Sequence, residues 1–377
     1  MRRALALLAV VLVVAVVAFF GAAWRYADLV DGGALRPDRG PDALDLRIVS
    51  LGEGAITLAS ADDPDDDWRR PGVWGLEWEG GYGRLGELLS EDGGEVVRRF
   101  EPIAGQPAPG QLARIDSYAF PGDPQQAFAI PFFELNLPSE VGDLPAWFID
   151  GPSRTWVVFV HGKDAERRQA LRYLPVIHGL GLPVLVVSYR NDGLAPDGLD
   201  RRYRYGATEW RDLEAAVAFA FTHGAQRVVL FGHSLGGAIV MSFLERSAHA
   251  GQVAALVLDA PVLDLEATVD YAAERRGLPG PLTALAKWLA GQRFDVDWDN
   301  LDYLERAGRL SVPVLLFHGD ADRTVPIKTS EALARARPEL VTFVRVEGAG
   351  HVRSWNADPE AYEAALTGFL RRLVAAP

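Results

Sequence analysis

A ten-residue stretch, Val228–Gly237, constrains the fold of this chain more than any other part of its sequence. It reads V-V-L-F-G-H-S-L-G-G, an apolar run typical of a strand that leads into G-x-S-x-G and then into residues typical of a helix. In this context the pattern indicates a sharp strand-to-helix turn that holds the serine hydroxyl above a sheet. Gly232 and Gly236 lack the Cβ atoms that would clash around such a turn. Ser234 is therefore the candidate nucleophile, and the alternative is a Gly-rich turn that only joins the strand to the helix.

Strands and helices are predicted to alternate on both sides of this turn. Continuous Val, Leu and Phe runs indicate strands buried on both faces, as in a mostly parallel sheet covered by helices. In such sheets the functional residues gather beyond the carboxyl ends of the strands. Eight strands are predicted, at Phe132–Leu137, Ala146–Ile149 (after a Gly142-Asp143 turn), Thr155–Val160, Pro183–Ser188, Arg227–Phe231, Val253–Leu258, Val314–Phe317 and Val341–Val346. Helices are predicted near Ala165–Gly179, at Thr208–Phe221, after Ser234, at Thr329–Arg337 and from Pro359.

A serine hydroxyl needs a general base within hydrogen-bonding distance before it can act as a nucleophile. Among the seven histidines, His351 follows the last predicted strand in a Gly-Ala-Gly-His loop at the active end of the sheet. We therefore predict that His351 is the general base, and later the general acid. Three other histidines end strands and are expected to pack beneath the site: His161, His233 and His318. The remaining three fall within or at the ends of helices: His178, His223 and His249.

The imidazole needs a carboxylate that fixes its tautomer and stabilises its charged form. Two candidates, Asp320 and Asp322, follow the strand before the last one. Either residue gives the order serine, aspartate, histidine along the chain.

The oxyanion that forms during acyl transfer needs preorganised N–H donors. One donor is predicted on the backbone of Leu235, directly after the nucleophile. The other is predicted on the backbone of Lys163, in the loop after the third strand, with Asp164 as the alternative.

Composition excludes several other kinds of chemistry. The four strand-end histidines suggest a metal site, but they lack a close-spaced pair and the serine, histidine and aspartate account for the site without a metal. We therefore predict no metal and no other cofactor. The chain contains no cysteine, which excludes disulfides and thiolate catalysis. A formal net charge of −13 argues against a nucleic-acid partner, and nothing in the sequence indicates a protein partner.

The N-terminus predicts a membrane segment. Two arginines precede an uncharged apolar run from Ala4 to Ala23, which is long enough to span a bilayer as a helix. Trp24 and Tyr26 are aromatic residues typical of a membrane surface. We therefore predict a single-pass anchor with the bulk of the chain outside the cytoplasm. The alternative is a signal peptide cleaved after the small residues at 21–23, which would release a secreted protein.

The chain between this segment and the regular sheet is predicted to form a small β-rich region. A Gly-, Pro- and Asp-rich linker covers Asp31–Asp42, and short strand-like runs follow up to Phe120. Asp62–Asp67 supplies five carboxylates without the spacing of a calcium loop, and it is expected to be a solvated acidic loop. The predicted domains are the anchor at 1–24, the linker and β-rich region at 25–126 and a catalytic domain at 127–377, with a cap at about 264–300.

From about Phe132 to Val374 the chain resembles the α/β-hydrolases. Four motifs carry the resemblance: His161-Gly162, the G-x-S-x-G at 232–236, H-G-x-x-D-x-x-V-P at 318–326 and Gly350-His351. The third motif places the family's acid at Asp322, which favours it over Asp320. Trp210-x-Asp212-Leu213 and the Tyr-Arg-Asn at 189–191 are similar to the membrane-anchored serine hydrolases of the Bem46 and ABHD type.

The resemblance implies an α/β-hydrolase fold with a short cap and a Ser-His-Asp mechanism. Because the nucleophile is a serine, we expect acyl transfer on carboxylic esters or thioesters (class EC 3.1), with an acyl or lipid-like substrate at a membrane. A peptidase or an acyltransferase that uses the same three residues is one alternative. A non-catalytic binding protein that keeps the fold is another.

Overall fold

The computed structural model describes residues 2–40, 43–60 and 67–374, so the predicted acidic loop lies outside the described residues except for Asp67. The chain begins with helix α1, Arg2–Val30, whose axis continues through a π-helical turn, Asp31–Leu35. Six strands and a short helix follow. They are β1 Leu46–Gly52, β2 Ala55–Ser60, β3 Trp74–Trp78, β4 Gly81–Asp92, β5 Glu95–Ala104, β6 Leu112–Asp116 and α2 Pro124–Phe128.

The rest of the described chain alternates strands with helices. The strands are β7 Phe133–Ser139, β8 Gly142–Ile149, β9 Thr155–Val160, β10 Val184–Val187, β11 Arg227–His233, β12 Val253–Asp259, β13 Val314–Gly319 and β14 Val341–Val346. The helices are α3 Leu174–Gly179, α4 Trp210–Thr222, α5 Leu235–Arg246, α6 Leu265–Arg275, α7 Gly280–Phe294, α8 Ile327–Ala336, α9 Ser354–Ala357 and α10 Pro359–Val374.

These eight strands of the described chain form one sheet, which confirms the predicted architecture. Their order is β14-β13-β12-β11-β9-β10-β8-β7, and only the β10-β8 and β8-β7 pairs are antiparallel. Strand β11 lies between β9 and β12, and Phe231 pairs with Phe159 and Val257. Every residue of β9, β10 and β13 is buried, because helices cover both faces of the sheet. The G-x-S-x-G turn therefore lies at the carboxyl edge, near the middle of the sheet.

Local boundaries differ from the prediction at three places. The predicted helix near Ala165–Gly179 is a 3₁₀ segment, Arg167–Arg172, followed by α3, because Pro175 lies in the first turn of α3 and favours a new helix start. The first hairpin turns at residues 140–141, so that Gly142 and Asp143 belong to β8. Helix α4 begins after Glu209, whose buried carboxylate accepts hydrogen bonds from the backbone of the preceding loop.

The β-rich region is a closed barrel of six strands within the described residues. Its strands follow the order β1-β2-β5-β4-β3-β6, and β6 closes the barrel by pairing with β1. Apolar side chains fill it, including Trp68 and Trp74. Arg98 is also buried, and its guanidinium donates to the carbonyl oxygens of Trp68, Arg70 and Gly72 at 2.8–3.1 Å. This arginine fixes the loop that precedes β3 against the barrel, and burial lowers its pKa to about 10.

The cap predicted at 264–300 consists mainly of α6 and α7, which follow β12. Helix α1 is long and apolar enough to cross a membrane, and its second half packs against α7, where Ala23 and Ala27 are fully buried. The predicted linker at Asp31–Asp42 is therefore helical over its first five residues. The Asp31 carboxylate forms an ion pair with Arg202 at 2.6 Å, and buried Leu35 completes the contact with the body of the protein.

Candidate active site

The turn at Ser234 has the strained backbone that the sequence pattern predicts. Ser234 has φ 49° and ψ −115°, a conformation that non-glycine residues seldom adopt. Its N–H donates to the carbonyl oxygen of Asp259 at 3.0 Å, which ties the turn to the end of β12. A Cβ atom on Gly236 would lie 2.2 Å from the carbonyl oxygen of Val160, so only glycine fits at that position. The strain is thus held by contacts to both neighbouring strands.

The structure brings Ser234, His351 and Asp322 together. His351 Nε2 lies 2.8 Å from Ser234 Oγ, and His351 Nδ1 lies 2.7 Å from Asp322 Oδ2. Asp320, the other candidate carboxylate, accepts hydrogen bonds from the N–H of Gly348 at 2.7 Å and from Arg345 at 3.2 Å. Asp320 therefore holds the loop after β14, while Asp322 faces the imidazole.

Hydrogen bonds hold the Asp322 carboxylate in its ionised form. Oδ1 accepts from the backbone N–H groups of Thr324 and Val325 at 2.7 and 2.9 Å. His318 Nε2 lies 3.2 Å from Oδ2. Burial opposes ionisation, but His351 and the hydrogen bonds from His318 and His351 outweigh it and lower the pKa of Asp322. Asp322 can therefore remain an anion beside a protonated imidazole.

The two backbone groups predicted as oxyanion donors belong to two segments that meet at Ser234. Leu235 is the first residue of α5. The loop that carries Lys163 passes so close that a Cβ atom on Gly162 would lie 3.4 Å from the Cβ of Ser234. No described residue accepts a hydrogen bond from the N–H of Lys163 or Leu235. The carboxylate of Asp164, the alternative residue, accepts from the ammonium of Lys163 and from the N–H of Asp38.

Hydrogen bonds with Tyr189 and Gln169 hold the loop at His161–Asp164 in place. The Tyr189 hydroxyl donates to the carbonyl oxygen of Gly162 at 2.8 Å, and the N–H of Gly162 donates to Gln169 Oε1 at 3.0 Å. Tyr189 belongs to the Tyr-Arg-Asn segment noted in the sequence. Its neighbour Arg190 forms a bidentate ion pair with the buried carboxylate of Asp212, at 2.7 and 2.8 Å. Tyr189 thus supports the loop directly, and the Arg190–Asp212 pair holds the segment that carries Tyr189.

The other strand-end histidines pack beneath the site as expected. His161 Nε2 lies 2.8 Å from Asp192 Oδ2, and His318 Nδ1 lies 2.7 Å from Ser330 Oγ. His233 is fully buried, and neither of its ring nitrogens has a hydrogen-bond partner among the described residues. Burial lowers the pKa of His233 well below its usual value, so this residue is neutral. Within the described ranges no three His, Asp or Glu side chains are grouped as metal ligands.

A cavity of about 470 Å³ lies above Ser234 and His351. The cap contributes Leu265, Val269 and Ala286 to its walls. The end of α1 forms another wall, which the sequence did not predict. Most of the lining is apolar, and two of its basic side chains are paired: Lys287 with carboxylates of α6 and Lys163 with Asp164. The cavity can therefore accommodate an apolar group next to the nucleophile.

The barrel contacts the loop that carries His351. The sequence did not predict this contact. Arg353 Nε donates to Asp67 Oδ2 at 2.7 Å, and an Arg70 nitrogen donates to the carbonyl oxygen of Gly348 at 2.8 Å. The side-chain amide of Asn356 donates to the carbonyl oxygen of Val73 at 2.8 Å, and its backbone oxygen accepts from the N–H of Val73 at 2.9 Å. These contacts extend from Gly348, in the loop after β14, to Asn356 in α9.

The fold and the site define the class of protein. A mostly parallel eight-stranded sheet, with a strained serine after its central strand and the order serine, aspartate, histidine, is the architecture of an α/β-hydrolase. The profile described as "Alpha/beta hydrolase family" matches residues 157–365, which is more than half of the chain. The chain therefore belongs to the α/β-hydrolase family. A domain of unknown function, DUF8805, matches residues 47–116, a range that ends with the last barrel strand, β6.

Relatives support this assignment and the narrower resemblance to ABHD-type proteins. An uncharacterised protein of Mycobacterium tuberculosis, Rv2307c, is 31% identical over 216 residues, which are 55% of this chain and 68% of that protein. Human protein ABHD12B is 31% identical over 187 residues, 47% of this chain and 48% of that protein. A solved esterase of Pyrococcus furiosus, 20% identical, has a TM-score of 0.53 over 68% of this chain and 96% of its own. That structure supports the fold alone.

Proposed function

We propose that this protein is a serine hydrolase that cleaves carboxylic esters or thioesters through an acyl-enzyme. The observation that carries the proposal is the continuous hydrogen-bonded series from Ser234 Oγ through the His351 imidazole to Asp322, at 2.8 and 2.7 Å. Both distances lie in the range that proton transfer requires. Ser234 opens into the cavity, so an acyl group in the cavity can reach its hydroxyl.

In the first step, the Ser234 hydroxyl donates its proton to His351 Nε2 while Oγ attacks the acyl carbon. The protonated imidazole is stabilised by Asp322, to which Nδ1–H donates. The N–H groups of Lys163 and Leu235 bind the oxyanion that forms. His351 then returns the proton to the departing alcohol or thiol, which leaves Ser234 acylated.

In the second step, water enters the position that the alcohol or thiol has vacated. His351 removes its proton, and the resulting hydroxide attacks the acyl carbon. Collapse of the second tetrahedral intermediate releases the acid and restores the Ser234 hydroxyl. Release of a free acid, rather than transfer of the acyl group to another acceptor, distinguishes this proposal from an acyltransferase.

The proposal includes an acyl or lipid-like substrate and a membrane location. The apolar cavity supports the first, and α1 supports the second because its apolar side chains from Leu5 to Phe20 are exposed. Arg2 and Arg3 favour a cytoplasmic N-terminus and a catalytic domain on the opposite side. The proposed domains are the anchor at 1–24, the linker and β-rich region at 25–126 and the catalytic domain at 127–377. Protection of the catalytic domain from protease added to intact cells would contradict the orientation.

A fluorophosphonate probe tests the proposed chemistry directly. Wild-type protein should be labelled and should release acid from p-nitrophenyl esters, and Ser234→Ala should abolish both. Ser90→Ala, which changes an exposed serine of the barrel, is the matched control and should behave as wild type. Wild-type protein that is folded but neither labelled nor active across acyl lengths would refute the proposal and favour a binding protein.

A further inference from the structure

Helix α1 has two parts with different surroundings. Its apolar side chains are exposed as far as Phe20. From Ala22 onward the helix packs against the cap, with Ala23 and Ala27 completely buried. Helices that only anchor a domain do not need a buried, small-residue contact with the catalytic part of that domain.

Specific polar contacts fix this second part. Arg293 of α7 donates to Asp28 Oδ1 at 2.6 Å, and its guanidinium lies 3.7 Å from the centre of the Trp24 ring. On the other side, the Tyr205 hydroxyl donates to the carbonyl oxygen of Ala34 at 2.9 Å. The N–H of Tyr203 donates to the carbonyl oxygen of Leu35 at 2.7 Å. The helix end is thus held by both the cap and the body of the hydrolase.

This fixed segment lines the cavity that contains Ser234 and His351. Its wall includes Tyr26, Leu29, Val30, Gly33 and Ala34, together with residues of the cap. Tyr26 lies six positions after Phe20, where the continuous exposed apolar run that begins at Leu5 ends, and six positions are about 9 Å along a helix axis. The wall of the cavity therefore begins next to the part of the helix that would lie in a bilayer.

We propose that the end of α1, together with the π-helical turn that continues it, is the specificity-determining wall of the acyl pocket. This role rests on the hydrolase activity proposed above. The side chains of Tyr26, Leu29 and Val30 contact the acyl chain of a membrane-resident ester, and the space beside Gly33 sets how long that chain can be. The segment that anchors the protein is thus also part of its substrate site.

Two adjacent glycines provide a matched test. A Cβ atom on Gly32 or Gly33 would meet nothing within 4 Å, and neither residue has a positive φ, but only Gly33 lines the cavity. Gly33→Leu should lower the ratio of kcat/KM for p-nitrophenyl laurate to that for p-nitrophenyl acetate by about tenfold, because one or two methylenes lost from an apolar pocket have this effect. Gly32→Leu should leave the ratio unchanged.

A second pair of variants tests the same wall without changing the glycines, in case a substitution there disturbs local folding. Val30→Trp should lower the laurate-to-acetate ratio, whereas Val17→Trp, on the exposed part of the same helix, should not. Labelling by the fluorophosphonate probe verifies in each variant that the serine site is intact. Equal ratios within both pairs, with all four variants labelled, would overturn the role of the helix and leave the hydrolase proposal standing. Absence of labelling and activity in the wild type would overturn both.

Discussion

Replacing Asp67 with asparagine tests whether the barrel positions His351. Asp67 and Arg353 expose 9% and 24% of their side chains and form an ion pair of 2.7 Å, two residues from the histidine. Hydrogen bonds between charged groups contribute about 1.5–3 kcal/mol. Because Arg353 keeps contact with solvent, we take about 1.5 kcal/mol as the energy that holds the loop, which corresponds to about a tenfold decrease in kcat/KM.

The assay is ester hydrolysis with kcat and KM measured separately. Asp67→Asn should lower kcat about tenfold with little change in KM, because the cavity is unaltered while His351 spends less time in its productive position. Asp92→Asn, an exposed change on the same barrel, is the matched control. Combining Asp67→Asn with Arg353→Gln should produce less than the sum of the two effects if the residues act as a pair.

Two results would refute this reasoning. The first is wild-type kcat in Asp67→Asn. The second is a loss of activity that equals the fraction of unfolded protein in a thermal melt, since the barrel would then contribute stability alone.

Asp322→Asn should lower kcat/KM for an ester by about 10⁴-fold because the amide favours the wrong imidazole tautomer. Asp320→Asn should retain most of the activity. Equal losses in the two variants would contradict the assignment of Asp322. Burial raises the pKa of Asp259 from 3.8 to about 6. Between these two pH values the folded protein keeps the Asp259 proton, whereas the unfolded chain releases it. The stability that this proton contributes is therefore greatest at low pH and is lost as the pH rises through about 6. Asp259→Asn should remove this part of the pH dependence in urea titrations. Asp212→Asn should lower the free energy of unfolding by about 3 kcal/mol, because it leaves the buried guanidinium of Arg190 with only the exposed carboxylate of Glu140, at 3.5 Å, as an ionic partner. A change of less than about 1 kcal/mol in denaturant unfolding would contradict this prediction.

The sheet and the three proposed catalytic residues could be predicted because their signals are local. The strand, turn and helix around Ser234 occupy consecutive positions, and a turn of this kind requires glycine at 236. The spacing of strands and helices cannot separate Asp322 from Asp320, which lie two positions apart, and only the resemblance of 318–326 to the family motif favours Asp322. The structure supplies a physical reason, because the backbone N–H groups of Thr324 and Val325 orient the Asp322 carboxylate, which lies 2.7 Å from His351 Nδ1.

Two features of the site that were not predicted depend on contacts between distant segments: the wall formed by the end of α1 and the attachment of the barrel to the His351 loop. Gly32 and Gly33 disfavour a helix, so the sequence at Asp31–Asp42 indicates a linker. Contacts with Tyr203, Tyr205 and Arg202 override that preference and continue the helix to Leu35. The sequence also carries no local pattern for two contacts of the barrel. One is the pairing of β1 with β6, which closes the barrel, and the other is its attachment to the His351 loop.

The attachment of the barrel to the His351 loop has a consequence for the order in which the protein is made. Arg70 and Gly348 are 278 positions apart, and Asp67 and Arg353 are 286 apart. The turn at Ser234 needs only strands β9, β11 and β12, so it can form while later segments are still being synthesised. Contacts of such long sequence separation form late in folding. Ser234 precedes His351 by 117 positions, so the proposed nucleophile has no base while the segment between them is synthesised. The growing chain therefore lacks a complete site until the segment around residue 350 docks onto the barrel, which is synthesised first.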